Sequence, residues 1–455
     1  MTGPISRLRS VIPTVLSDRS PVTFTGALPS SVDVVVIGAG VIGISTAWFL
    51  RRAGVSVLVC DKGVVAGEQS SRNWGWIRQQ GRDAAEVPMA IDSVNLWEQL
   101  AREIGEDFGF KRGGIVYAAR TERELARFER FMPIAERHQL DTRMLSGREV
   151  DALIDDRPGQ WIGGLYTASD ARAEPSQAVP ALARALNAHG GEIREHCAVR
   201  SLDVAAGHVV GVVTEHGRVR ANAVVCAAGA WSTRFLGNLD VDLPQLAARA
   251  TVARTAPAPN VCDGGALLGE VAIRRRSDGG YSVAASSLNE HFVGADTLRY
   301  VREFLPALRS SKRFLDVRFG GDLLARLFPK RHWRDDEVTP FERTRVWNPE
   351  PSPDALAALR AGLAMRLPKL ANVPIEAAWA GMIDTTPDVV PVIDAVAGYP
   401  GFYVATGFSG HGFGIGPGAG RVVAEMVLGK PARHDLTRFR LARFGEGGAE
   451  VGPAL

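Results

Sequence analysis

Gly38-Ala39-Gly40-Val41-Ile42-Gly43 is the stretch whose residue types and spacing point most directly to chemistry. Glycines at these intervals let a chain leave a strand sharply at Gly38, bring bare backbone against a ligand at Gly40, and seat a helix close to its sheet at Gly43. The helix then aims its first N–H groups at an anion. Asp61, some twenty positions on, ends a second apolar run, where a carboxylate accepts hydrogen bonds from ribose hydroxyls. The chemistry implied is dinucleotide binding through the pyrophosphate; a glycine turn with a structural role only is the alternative. Cys60, Cys197, Cys226 and Cys262 are scattered, without the spacing of a zinc site, a redox pair or an iron–sulfur run, so no metal is expected.

The elements that must position this turn read strand, turn, helix, strand. Val34, Val35, Val36 and Ile37 form the β-branched run of a parallel strand buried on both faces. A helix follows through Ile44, Ala47, Trp48 and Leu50, and after Gly54 a second run extends from Val55 to Cys60. From 90 to 160 the pattern is helical around a strand at 114–119. A helix is expected at 180–188, after Pro175, and strands at 198–204, 209–215 and 223–228, the last ending at Gly229. Between 240 and 375 the character changes to short β-like runs at 266–275 and 281–285, then a basic helical stretch at 298–334. A stretch rich in glycine and proline at 383–420 closes with a helix at 421–428. The expected partition is a leader at 1–30, a dinucleotide unit in three pieces (31–95, 170–240 and 375–440), a second unit at 96–169 and 241–374 carrying the insert 298–334, and a tail at 441–455.

The bulk numbers exclude several classes. Fifty-three basic against 50 acidic residues leave a net charge of +3 over 455 residues, too little to argue for nucleic acid. No stretch has the length and apolarity of a signal peptide or a membrane span, and the leader carries Arg7, Arg9, Asp18 and Arg19 among prolines. A cytoplasmic protein is expected, soluble or peripheral to the inner face of the membrane. The stretch holding Arg299, Arg302, Arg309, Lys312, Arg313, Arg318, Arg326, Lys330, Arg331 and Arg334 among leucines and phenylalanines reads as a basic amphipathic helix, either a solvated face or a contact with an anionic membrane.

Further stretches carry a family likeness. Ala66-Gly67-Glu68-Gln69-Ser70-Ser71, Val224-Val225-Cys226-Ala227-Ala228-Gly229-Ala230-Trp231-Ser232, Trp379-Ala380-Gly381 with Thr386-Pro387-Asp388, and Gly407-Phe408-Ser409-Gly410-His411-Gly412-Phe413 resemble the FAD-dependent D-amino acid oxidase and sarcosine oxidase superfamily. Within it, Cys197-Ala198-Val199-Arg200, Thr339-Pro340-Phe341-Glu342 and Arg345-Val346 look like the bacterial L-amino acid deaminases, over most of 32–440. The resemblance implies an α/β chain, α+β overall, with a Rossmann-like FAD-binding domain around a central parallel sheet and a mixed-sheet substrate-binding domain. It implies non-covalent FAD and oxidation of the CH–NH bond of an amino acid, with hydride passing to flavin N5 and the product imine hydrolysed to keto acid and ammonia. A secondary-amine oxidase using oxygen and a non-catalytic flavoprotein subunit are the alternatives.

The resemblance also distributes roles. Ser70 and Ser71 offer hydroxyls near the pyrophosphate, Gly229 ends a strand beside the cofactor, and Gly410 and Gly412 bring N–H groups to the flavin's pyrimidine edge. Lys62, Gln69, Val199, Ala228, Trp231, Gly381, Asp384, His411 and Phe413 join Ala39, Val41, Ile42 and the residues above as cofactor contacts. Arg274 falls where the deaminases grip the substrate carboxylate, a task suited to a guanidinium fork; a solvated hairpin flank is its bland reading and Arg78 its rival. Gln80 aligns with a substrate-facing glutamine and His411 with a position over the flavin. Trp74, Trp76 and Trp379 either wall the pocket or fill the core. The sarcosine oxidases use a lysine near flavin N5 to promote reaction with oxygen; between 200 and 329 the only lysine is Lys312. A quinone or a partner protein is therefore the expected electron acceptor.

Overall fold

The computed structural model describes residues 15–310, 315–320 and 323–446. The βαβ unit forms as its pattern requires: β1 (Ser31–Ile37), α1 (Val41–Arg52) and β2 (Val57–Cys60). β1 lies between β2 and the strand Gly217–Cys226, parallel to both, with Ile37 opposite Cys60 on one side and Cys226 on the other. Val34, Val35, Val36 and all of β2 are buried, as expected for a sheet covered on both faces. Five more strands complete this eight-stranded sheet, among them Glu192–Arg194 beside β2 and Phe402–Thr406 beside Gly217–Cys226, both parallel. Their shared direction brings the C-terminal ends of the parallel strands to one edge, where ligands of such sheets sit.

A second, nine-stranded sheet is mixed, running in order Ile375–Thr385, Leu246–Thr255, Tyr281–Phe292, Val271–Arg275, Gly265–Leu268, Ile115–Ala119, Gly163–Thr167 and Thr142–Ser146, with Asp316–Arg318 beside Tyr281–Phe292. The helix Pro353–Arg366 covers one face through Leu359 and Leu363. Trp74, Trp76 and Trp379 pack against the sheet as core, Trp379 donating to the Arg72 carbonyl at 2.9 Å.

Two expectations need correction. The closing helix spans Gly412–Val427, starting nine residues before the expected 421. Glycine is a poor helix former, but Gly416, Gly418 and Gly420 are where this helix meets Val41, Met89 and Ser45, and any side chain there would collide. Close packing against α1 overrides propensity. The insert is not one amphipathic helix: it breaks into Ala295–Arg299, Val301–Ser310, the strand Asp316–Arg318 and Leu323–Leu327. Several of its cations are matched locally, Arg299 with Asp242, Arg318 with Asp316 and Asp354, Lys330 with Glu337 and Arg334 with Asp336. Lys312 and Arg313, residues 1–14 of the leader and 447–455 of the tail lie outside the described residues, as does the side chain of Arg309.

Candidate functional site: a cleft between two helix mouths

A cleft of about 1210 Å³, counting its open mouth, runs along the C-terminal edge of the parallel sheet. At one end stands the mouth of α1, whose N-cap is Gly40 and carries no side-chain cap. Gly38, at φ +104°, crosses so close to Ala227 that a Cβ would lie 2.5 Å from its carbonyl oxygen. A Cβ on Gly40 would sit 3.0 Å from Ser70 Oγ, which accepts from the Val41 N–H at 2.9 Å. Gly43 lies outside the cleft and lets α1 press on the Gly38 carbonyl. The turn thus opens to the cleft through Gly38, Gly40, Val41 and Ile42 at the start of α1, the place in such a unit that receives a pyrophosphate.

Asp61 lines this end and also builds it. Its Oδ2 accepts from the Ala39 N–H and its Oδ1 from the Gly63 N–H, both at 2.7 Å. Burial pushes its carboxyl up, against the pull of Lys62 and these N–H groups. A carboxylate has about four acceptor positions, so two remain for ribose hydroxyls. Lys62 Nζ lies 4.2 Å from the centre of the Trp231 ring and donates to Glu68 Oε1 at 2.6 Å and to the Thr344 and Arg345 carbonyls. Glu68 was not singled out by sequence reasoning, although it sits in a quoted motif. It also accepts from Trp231 Nε1 at 3.0 Å and the Trp347 N–H at 2.9 Å, tying three segments together around this wall.

The opposite end is the mouth of the helix Gly412–Val427, again without a side-chain cap. Gly410, Gly412 and Phe413 line it with Met382 and Phe408. Asp384 orders the approach: its buried Oδ2 accepts from the N–H groups of Gly407 (2.8 Å) and Phe408 (3.2 Å), and burial raises its carboxyl to about 6. Gln69, Ser70, Val199, Ala228, Gly229 and Trp231 complete the wall between the two mouths, together with Asn73, Phe341 and Arg345, which were not among the expected cofactor contacts although Phe341 and Arg345 sit in motifs that carry the likeness. Gln69 Oε1 is buried without a hydrogen-bond partner. Ala39, Ser71, Gly381 and His411 stand behind the wall: Ser71 Oγ accepts from the Leu16 N–H at 3.3 Å, and Gly381 makes room for Gln69.

The four residues expected to meet substrate do not line this cleft. Arg274 lines a separate, small side pocket. It is 2% exposed, its fork is filled by Glu174 at 2.8 and 2.9 Å, and its Nε and Nη2 donate to the Trp74 carbonyl (2.5 Å) and Ser282 Oγ (2.9 Å). All of its donors are taken by protein acceptors. Arg78 follows Trp76–Ile77, whose backbone lies against Gly414 in the first turn of the closing helix. Only its Nη1 is engaged among the described residues, with the Gln80 carbonyl (3.1 Å) and Tyr117 Oη. Gln80 is fully buried; its Oε1 accepts from Thr167 Oγ1 at 2.9 Å, while its Nε2 has no partner. His411 Nδ1 is 3.3 Å from Glu86 Oε1; burial and the Arg82 charge lower the ring to about 4, so it is neutral near pH 7.

Residues 33–426 match the family described as FAD dependent oxidoreductase. The chain belongs to this family. FAD is therefore its cofactor, and two helix mouths separated by a largely apolar wall fit FAD's pyrophosphate at one end and its ring at the other. Among relatives of this oxidoreductase, the L-amino acid deaminase from Proteus myxofaciens is 31% identical with a TM-score of 0.89, over 94% of this chain and 99% of that one. The monomeric sarcosine oxidase of Bacillus sp. (strain NS-129) is 25% identical over 90% of this chain and 96% of its own length. The mitochondrial sarcosine dehydrogenase of Mus musculus is 23% identical, and the chain spans only 42% of that protein.

Proposed function

We propose that this flavoenzyme oxidises the CH–NH bond of an amino acid, giving an imine that water hydrolyses to a keto acid and ammonia. The observation that carries this reading is the likeness to a bacterial L-amino acid deaminase along nearly the whole of both chains. When bound, FAD supplies the acceptor for the hydride leaving the carbon beside the amine. The chain's own part is to bind and align. Arg78, held by Tyr117 and the Gln80 carbonyl beside the first turn of the closing helix, is the carboxylate anchor in place of Arg274. A guanidinium fork fixes a carboxylate's orientation, and alignment supplies most of the rate enhancement a deprotonated amine needs. Arg78→Met is expected to raise KM for amino acids about ten- to a hundredfold while leaving flavin content and the oxidation of amines lacking a carboxylate unchanged. Equal losses on both substrate types would remove Arg78 from the role.

The acceptor proposed is a quinone or a partner protein. Among the described residues the only lysine lining the cleft is Lys62, at the α1 end beside Trp231, away from the mouth proposed for the flavin ring. The full-length match to a monomeric sarcosine oxidase supports a second reading, oxidation of an N-methyl or other secondary amine with oxygen. Anaerobic bleaching of the flavin across L-, D- and N-methyl amino acids, followed by reoxidation with a quinone or air, separates the two; rapid peroxide release with each turnover sinks the dehydrogenase reading. A peripheral membrane site on the insert belongs to the same proposal. Phe319, Leu324 and Phe328 are 77%, 75% and 79% exposed within a stretch rich in arginine and lysine, apolar tips of the kind that enter a bilayer surface. Among the described residues no helix is long and apolar enough to cross a membrane.

A further inference from the structure

Behind the flavin-end wall lies an arginine without an acid bonded to it. Arg82 is 2% exposed; its Nε reaches the Arg78 carbonyl at 3.5 Å, and its Nη1 is buried with no hydrogen-bond partner. Two carboxylates stand in the same compartment, and both are turned elsewhere. Glu86 faces His411 Nδ1 at 3.3 Å, and Asp170 Oδ1 accepts from the Gln79 N–H (2.7 Å) and Nε2 (3.2 Å), leaving its Oδ2 unpartnered. A buried cation without a bonded counter-ion is a standing cost that folding alone does not explain. Its location supplies a reason. The compartment abuts His411, which lies between Gly410 and Gly412 of the cleft wall and forms the N-cap of the closing helix.

We propose that Arg82 is the fixed cation that stabilises the negative charge the flavin ring gains on reduction, acting through the Gly410–Gly412 turn and without touching substrate. Of the groups around it, Glu86 against His411 opposes that field, and Arg82, left without a bonded acid, supplies it. His411 is neutral near pH 7, so it adds no charge of its own, whereas Arg82, lowered to about 9 by burial and by Arg78, stays protonated. The dipole of the closing helix adds to the same field. Arg82 is thus a positioning charge. The inference rests on the family's FAD and not on the proposed substrate, so a failed amine panel leaves it standing.

Sulfite reads this charge directly on the oxidised holoprotein: its sulfur lone pair bonds to flavin N5, nothing leaves, and a negative charge settles toward N1. Titrated by flavin absorbance, Arg82→Gln is expected to raise the sulfite dissociation constant about tenfold, and Arg82→Lys to keep it within about threefold of the parent. An unchanged constant in Arg82→Gln at full flavin content overturns the proposal. Asp170→Asn, titrated near pH 8.5, covers the case in which Arg82→Gln does not fold: burial raises the Asp170 carboxyl to about 7, so above that pH the substitution removes an opposing charge and leaves Arg82 in place. Tighter sulfite binding supports the inference, and equal or weaker binding refutes it.

Discussion

Replacing Arg274 by methionine is expected to cost stability and not substrate affinity. Burial alone would raise the Glu174 carboxyl, but Arg274 and the Ser277 N–H hold it at about 2 instead of 4.5. That difference corresponds to roughly 3 kcal/mol, in line with the roughly 3–5 kcal/mol lost when one partner of a buried ion pair is removed. The folded carboxyl titrates below its unfolded value, so this stability is fully present above pH 4.5 and is lost as pH falls toward 2. In Arg274→Met the acid is left with Ser277 and the more distant Arg172 against its burial, so it titrates higher and the deficit grows from pH 4 to pH 7. Thermal melts followed by flavin and tryptophan fluorescence are expected to fall by roughly 3–5 °C at pH 7 and less at pH 4. The double variant Arg274→Met with Glu174→Gln should recover most of the loss, because no charge is then stranded. KM for amino acids on the folded fraction should stay within about twofold of the parent. Unchanged melts together with a tenfold rise in KM would show that Glu174 yields the guanidinium to a substrate carboxylate, and the structural assignment of Arg274 would be wrong.

Gly40→Val places a branched side chain against Ser70 Oγ at the α1 mouth; the purified protein should be colourless with parental circular dichroism, and a full complement of flavin would contradict the pyrophosphate assignment. Asp384 has a folded carboxyl raised from 3.8 to about 6, so it weakens the fold as pH climbs between those values; Asp384→Asn should flatten that slope in thermal melts, and a variant tracking the parent from pH 4 to 7 would dismiss the idea. Phe319→Ser with Phe328→Ser should reduce co-sedimentation with vesicles rich in anionic lipid about tenfold, with no change in activity on soluble acceptors; undiminished binding would place any membrane contact elsewhere.

The parts legible in the sequence were those where one local signal had one structural meaning. The run Val34 to Ile37 and the three glycines specify a strand and a turn within a single contiguous unit that forms as they require, and Asp61 closes the second strand beside that turn. The closing helix was misread because glycine's weak propensity points to a loop, while the deciding contacts with Val41, Met89 and Ser45 come from segments more than three hundred residues earlier. The insert failed for the opposite reason. Its periodic leucines and arginines point to one helix, but Asp316–Arg318 finds an open strand edge at Tyr281–Phe292 and pairs there in parallel.

Arginine roles were the least legible part, and the reason is general to buried charge. Arg78, Arg82 and Arg274 are chemically identical in the sequence, and what separates them is how many of their donors the fold has already used. Arg274 meets Glu174, a hundred positions away in the chain, and is spent; Arg78 is engaged through one nitrogen; Arg82 has none of its charge answered by a bonded acid. A cation with satisfied donors can only stabilise the fold, whereas one with donors or charge to spare acts on whatever occupies the cleft. Glu174→Gln tests that distinction from the acid's side. With one acceptor oxygen replaced by an amide, Arg274 should keep its place through Trp74 and Ser282, and catalysis should stay near parental. A gain of tenfold or more in affinity for carboxylate substrates would mean that releasing this arginine creates an anchor, and that the count of spent donors does not decide its role.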